Sequence, residues 1–254
     1  LPPRTRFNDT LLLLEEIGLR DATNCNAETL ALGGAAYKRK WQHFGQLEDL
    51  IEALFFYRAA FERNPKQDKG YGGVNAAFIL DLLADRAKQI ARRSGIKFNE
   101  SEASNFSDQA AALRQKMTLQ IPTWQVEIEL LPESDRFWPQ ITIAEIYFGL
   151  RQYSEAMEWL QKADVTSAAN WKKQTLFSQL LQIARLQGLT APQDSDKPAD
   201  WSPAWQMLAL IIGEEKARST FLAGTGKVGL SLSGGGFRAS FFHLGVMARL
   251  AEVD

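Results

Sequence analysis

Apolar residues recur at three-and-four spacing along most of the chain, and that period predicts helix after helix. Thr10–Leu19 reads as a short apolar helix opened by Asn8 or Asp9. Ala27–Phe44 and Leu47–Arg63 read as two amphipathic helices, the second stopped by Asn64-Pro65. Val74–Arg93 carries the same period and runs to Ser94-Gly95. The polar stretch Asn99–Asp108 reads as a break, followed by a helix to about Leu119. Pro122 interrupts, and TWQVEIELL (123–131) alternates like a strand, with helix as the other reading. Pro139 fits a first helical turn, so Gln140–Leu150 and Ser154–Ala163 form a further pair. Asn170–Gln187 is one more helix, stopped at Gly188. Thr190–Pro203 is polar and rich in proline and reads as a domain boundary.

Two of the pairs share a spacing. Ala144, Tyr147, Ala156, Leu160 and Ala163 fall on the tetratricopeptide positions, in which small residues and aromatics alternate across a helix hairpin. Gly34 and Tyr37, with Ala53, Tyr57, Ala60 and Pro65, repeat the series in the first pair with a longer connection between the helices. Small residues let two helices approach, aromatics fill the groove beside them, and proline ends the hairpin. A generic helical bundle is the plain alternative. The stretches ETLALGGAAYKRKW, LIEALFFYRAAFERNP and GYGGVNAAFILDLLA also resemble the tetratricopeptide-type region called the TRAF-binding domain in certain stress-activated protein kinases. Over residues 8–188 that resemblance implies a scaffold or regulatory module with a protein partner on the helical repeats. It does not imply a TRAF partner, and no kinase signature is present.

Composition narrows the classes. Apolar residues make up 45% of the 254 and charged residues 23%, the balance of a globular chain. Lys plus Arg (29) nearly equal Asp plus Glu (30), so no strong field draws the chain to nucleic acid. Cys25 is alone, which excludes an internal disulfide and suits a reducing, cytoplasmic setting. One Cys with two distant histidines, His43 and His243, builds no recognisable metal site, and no cofactor is expected. The start, LPPRTRFNDT, has neither Met nor a signal pattern and reads as trimmed. The apolar run near Ala204–Ile212 is far shorter than the ~20 residues of a membrane span. Arg86, Arg92, Arg93 and Lys97 read as a solvated helix face, and Trp41, Trp138, Trp159 and Trp171 as repeat packing, any of which has the chemistry to line a groove.

The chemistry lies near the end. Val228, Leu230 and Leu232 alternate with Gly229, Ser231 and Ser233 as a strand does, and Phe237–Glu252 has a helical apolar face. Gly234, Gly235 and Gly236 therefore stand at a strand-to-helix turn, where bare N–H groups and the helix dipole form a cradle for a negative oxygen. Arg238, just inside the helix, has the fork to pair with an anion or orient the loop. The run Ser233-Gly234-Gly235-Gly236-Phe237-Arg238-Ala239 resembles the oxyanion loop that opens the catalytic domain of the patatin-like and cytosolic phospholipase family. The resemblance covers about residues 227–252. It implies that the N–H groups of Gly235 and Gly236 form the oxyanion hole, that Gly234 shapes the turn, and that Arg238 is the loop arginine. It further implies a lipid or acyl-ester substrate and a peripheral membrane contact.

The family also uses a Ser in GxSxG and an Asp in D-G-(G/A), and neither motif occurs in these 254 residues. Ser231 and Ser233 each carry only half of a nucleophile elbow, so this segment is expected to be inactive by itself. A second enzyme class stays open, since Gly234-x-Gly236-x-x-Ala239 also satisfies the dinucleotide fingerprint. Gly224-Thr225-Gly226-Lys227 fails as a phosphate loop because its glycines precede the strand.

The expected architecture is mainly α: a tetratricopeptide-like α-solenoid over residues 1–189, a linker over 190–226, and the first strand-turn-helix unit of a patatin-like α/β domain over 227–254. A protein-interaction scaffold without catalysis is the competing class.

Overall fold

A computed structural model describes residues 3–21, 25–94, 97–193 and 196–225. The described residues are helical throughout, with no strand among them. The chain divides into two units, Leu1–Ser219 and Thr220–Asp254, and within the second the described backbone reaches only to Thr225. The expected strand-turn-helix over 227–254 lies outside the described residues. Among the described residues no helix is long and apolar enough to cross a membrane.

The helices are α1 (Pro3–Glu16), α2 (Ala27–Phe44), α3 (Leu47–Arg63), α4 (Pro65–Asp68), α5 (Tyr71–Ser94), α6 (Lys97–Thr118), α7 (Ile121–Glu129), α8 (Glu133–Gly149), α9 (Tyr153–Lys162), α10 (Asn170–Leu186), α11 (Pro203–Ile212) and α12 (Glu214–Thr225). Short connections fold α2 on α3, α5 on α6 and α8 on α9 into hairpins, and α10 pairs with α11. The first member of each pair then meets its counterparts: α5 touches α2, α8 and α10, and α8 touches α10. The expected helical-repeat solenoid is what these pairs build.

The local signals are physical. Asn26 opens α2 by accepting the Thr29 N–H at 2.8 Å, and Gly45 closes it at φ +69°. Asn64 ends α3 and opens α4, its side chain accepting the Gln67 N–H at 3.2 Å, with Pro65 in the first turn. Inside the hairpins most repeat positions are buried as their spacing requires, while Tyr37 and Tyr147 are half-buried. Ala53, Ala60, Ala144, Ala156 and Leu160 have no exposed surface, and Tyr57 has 2%.

Gly34 decides the first crossing. A Cβ there would lie 2.7–2.9 Å from the Tyr57 ring, well inside contact distance. Gly72 does the same against a harder surface, since its Cβ would reach the Tyr57 carbonyl oxygen at 2.5 Å.

Four local expectations need correction. TWQVEIELL is not a strand: α7 buries Ile121, Trp124 and Ile128 on one helical face and leaves Val126 and Leu130 exposed. Pro139 is not in a first turn but inside α8, which starts six residues earlier behind Pro132 with Glu133 and Asp135 at its positive end. The polar stretch after Gly95 is already α6. Its face toward α5 carries buried Ala103 and Ala110, and bonds such as Gln109 Nε2 to Asn105 Oδ1 at 2.7 Å satisfy the outer one. The first helix begins at Pro3, before Asn8 and Asp9.

The stretch 190–226 carries a 3₁₀ turn (Pro198–Asp200) and two helices. α11 buries Ala204, Trp205, Met207, Leu208 and Ile211 and packs on α9 and α10, and Trp205 Nε1 donates to the Thr190 carbonyl at 2.7 Å.

The α4–α5 corner holds a half-buried acid. Asp68 accepts the Gly72 N–H on both oxygens, at 2.8 and 3.0 Å. Burial nevertheless dominates those backbone bonds and lifts its carboxyl from 3.8 to about 6. The folded chain therefore holds this proton more tightly than the unfolded chain. Its stabilising contribution is complete below pH 3.8 and is lost as pH rises through about 6.

Two outcomes are expected in urea unfolding. Gly34→Ala should cost about 1–2 kcal/mol, overpacking against Tyr57 outweighing a gain of about 1 kcal/mol in helix propensity. Gly188→Ala, at φ +74° with nothing within 4 Å of the added carbon, should lose a similar amount through backbone strain alone and leave the environment of Tyr57 unchanged. In a pH series from 4 to 7, Asp68→Asn should flatten the decline of stability relative to the parent chain. An unchanged slope would place the titrating proton elsewhere.

Candidate functional site

Where the first helices of the four pairs converge, the fold leaves an open groove of about 320 Å³. α2 contributes Ala35, Lys38, Arg39 and Gln42, and α5 contributes Tyr71 and Asn75. The facing walls come from α8, with Trp138, Ile141, Thr142 and Glu145, and from α10, with Thr175, Ser178, Gln179 and Gln182. Tyr57 of α3 reaches it from behind.

Helical register places these side chains. Lys38 follows Gly34 by four residues and Asn75 follows Gly72 by three, so the residue that sets each close approach and a residue that lines the groove share a face. Lys38 Nζ donates to Asn75 Oδ1 at 2.9 Å and to Gln179 Oε1 at 3.3 Å, and stands 4.6 Å from the centre of the Phe78 ring. Asn75 in turn donates to the Tyr71 carbonyl at 2.9 Å. The Tyr57 and Tyr71 hydroxyls are hydrogen-bonded, and burial holds both phenols above their ordinary range.

The charges on the two walls are opposite and unjoined. Burial lowers the Lys38 ammonium below its ordinary value while Glu145 opposes that shift. Burial raises the Glu145 carboxyl, and the nearby Lys38 and Arg114 oppose it. Among the described residues Glu145 has no hydrogen bond and no ion pair, and Arg39 likewise has none. Arg114 is already committed to Asp81, at 2.5 Å. The Gln179 amide nitrogen is buried without an acceptor. The groove thus offers donors and positive charge on the α2–α10 side and a bare acceptor on α8.

Sequence reasoning did not single out this constellation. A signal was available: Glu145 is the one charged residue in the apolar run Ile141–Phe148, and Asn75 the one polar residue in Val74–Leu80. A lone polar group inside such a run either has a packing partner or faces a cavity. Of the four tryptophans named from sequence, Trp41 packs half-buried on the α3–α5 core, Trp138 lines the groove, Trp159 is 6% exposed and packs in its hairpin, and Trp171 stands outside at 5.8 Å from Trp138. The predicted oxyanion residues Gly234, Gly235, Gly236 and Arg238 lie outside the described residues, as do Ser231, Ser233 and His243.

Residues 4–80 match the model of a family described as Tetratricopeptide Repeats-Sensor. No curated protein and no solved structure gives a match. The matched segment spans α1 to the first half of α5. It therefore includes the cationic wall of the groove and stops short of α8 and α10. Residues 4–80 are thus similar to a tetratricopeptide-type repeat region.

Proposed function

We propose that the helical repeats are the regulatory and scaffolding module of a patatin-like serine acyl hydrolase. In this reading the groove receives a signal, a protein partner docks on the repeats, and the segment from residue 227 opens the catalytic domain. The observation that carries the regulatory half is the groove itself: Lys38, Arg39 and Glu145 face one another across about 320 Å³ without pairing. Of the three, Glu145 is a half-buried carboxylate without a partner, which is costly, and a plain spacer has no use for it. The catalytic half is supported by the run from Ser233 to Ala239 alone. There Gly235 and Gly236 would donate to the oxyanion, a contribution of about 3–4 kcal/mol per donor where such donors have been removed. The substrate would be a phospholipid or another acyl ester, met at a membrane surface.

An interaction scaffold with no catalysis is the second reading, and one finding favours it: the family match falls on the repeats alone. Between them, fluorophosphonate labelling decides. The protein carried through a GxSxG and a later D-G-(G/A) should label, and residues 1–254 should not. Labelling of neither favours the scaffold. Labelling of residues 1–254 would return Ser231 or Ser233 to candidacy and overturn the assignment of the nucleophile to a position outside them.

A further inference from the structure

We infer that the groove between α2, α5, α8 and α10 binds a small acidic amino acid, held by its carboxylates at Lys38 and Arg39 and by its ammonium at Glu145. This rests on the reading of the groove as the receiving face of the module.

The charges give the ligand its form. Two cations on α2 face one carboxylate on α8, so the groove carries a formal charge of one positive unit and best suits a ligand with one net negative charge. On the positive wall Asn75 and Gln179 accept from Lys38 and Phe78 backs it, which holds its ammonium on the α2 side without an ion pair to Glu145. Arg114, the other cation near Glu145, bonds Asp81 and forms no ion pair with Glu145. What is left over is a donor set on one side, namely Arg39, the third Lys38 proton and the buried Gln179 Nε2, and the bare Glu145 oxygens on the other. A planar guanidinium beside an ammonium matches carboxylate oxygens. A bare carboxylate in a half-enclosed wall matches an ammonium. One molecule with both ends satisfies every leftover group.

The groove of about 320 Å³ is open on one side, so a small ligand can lie wholly within its walls. An amino acid fits with room for a few waters, each needing about 30 Å³.

Calorimetric titration of the 254-residue chain with L-glutamate, glutarate and 4-aminobutyrate tests this. Glutarate lacks the ammonium, and 4-aminobutyrate lacks the second carboxylate. L-Glutamate should bind at least tenfold more tightly than either. Arg39→Gln, at an exposed position without a partner, should leave thermal unfolding unchanged and weaken L-glutamate at least tenfold. Glu145→Gln should erase the preference for L-glutamate over glutarate while leaving or strengthening glutarate. Equal binding of L-glutamate and glutarate by the parent chain overturns the role of Glu145. No heat with any of the three at millimolar concentration overturns the site, and binding instead of an acidic peptide would reassign it to a partner's chain end. Binding and fluorophosphonate labelling are separate readouts, so loss of either leaves the other standing.

Discussion

Tyr57 is the residue on which the helical body turns. Its ring fills the space where Gly34 has no side chain, its carbonyl lies where Gly72 has none, and its hydroxyl bonds that of Tyr71. Three helices, α2, α3 and α5, thus come to bare-backbone distance around one side chain that is 2% exposed. Close crossings of this kind fix rotation as well as separation, because a helix turned by one position would bring a Cβ into the contact. The groove inherits that precision. Lys38 and Asn75 lie about one turn beyond the contact residues Gly34 and Gly72, so the crossing that makes the core also aims the polar wall.

The second half of the groove is attached by a different device. Arg114 of α6 is 3% exposed, bonds Asp81 of α5, and occupies the space that Gly149 of α8 leaves open, where a Cβ would come within 2.1 Å of its Nε. A buried pair of this kind is a poor source of net stability, because desolvation offsets most of the attraction. It is specific, however, because only the register that brings Gly149 over the guanidinium avoids a clash. That same register carries Glu145, one turn earlier on α8, to the groove. The opposite charges thus come from different helices, each placed by the packing of its own element.

Elements with a strong local cause were legible from sequence. The α2–α3 and α8–α9 hairpins could be read from Ala, Gly and Tyr spacing, and the ends of α3 and α10 from Asn64-Pro65 and Gly188, because packing and capping there depend on near neighbours. The errors came where tertiary context overrode local preference. In α7 the β-branched Val126 and Ile128 suggest alternation, yet what is buried is the set Ile121, Trp124 and Ile128. In α6 the polar run is helical because α5 supplies a surface for Ala103 and Ala110. Pro139 costs α8 one backbone bond, and the helix continues because its apolar face from Phe137 to Phe148 is buried on either side of it.

The groove residues were illegible for the opposite reason. Gly34, Tyr57 and Ala53 are demanded by the crossing, so a packing pattern can find them. Lys38, Arg39, Glu145 and Gln179 are demanded by nothing in the packing. They sit on faces that the fold leaves open, and from different helices far apart in the chain, so no spacing rule connects them. The family match has the same boundary: it covers α2 and the start of α5, where packing motifs are dense, and ends before the helices that complete the site. A repeat fold specifies where a groove will be and which positions face it. The identity of those side chains is free to change without cost to the fold, and the function of this chain has to be read from them.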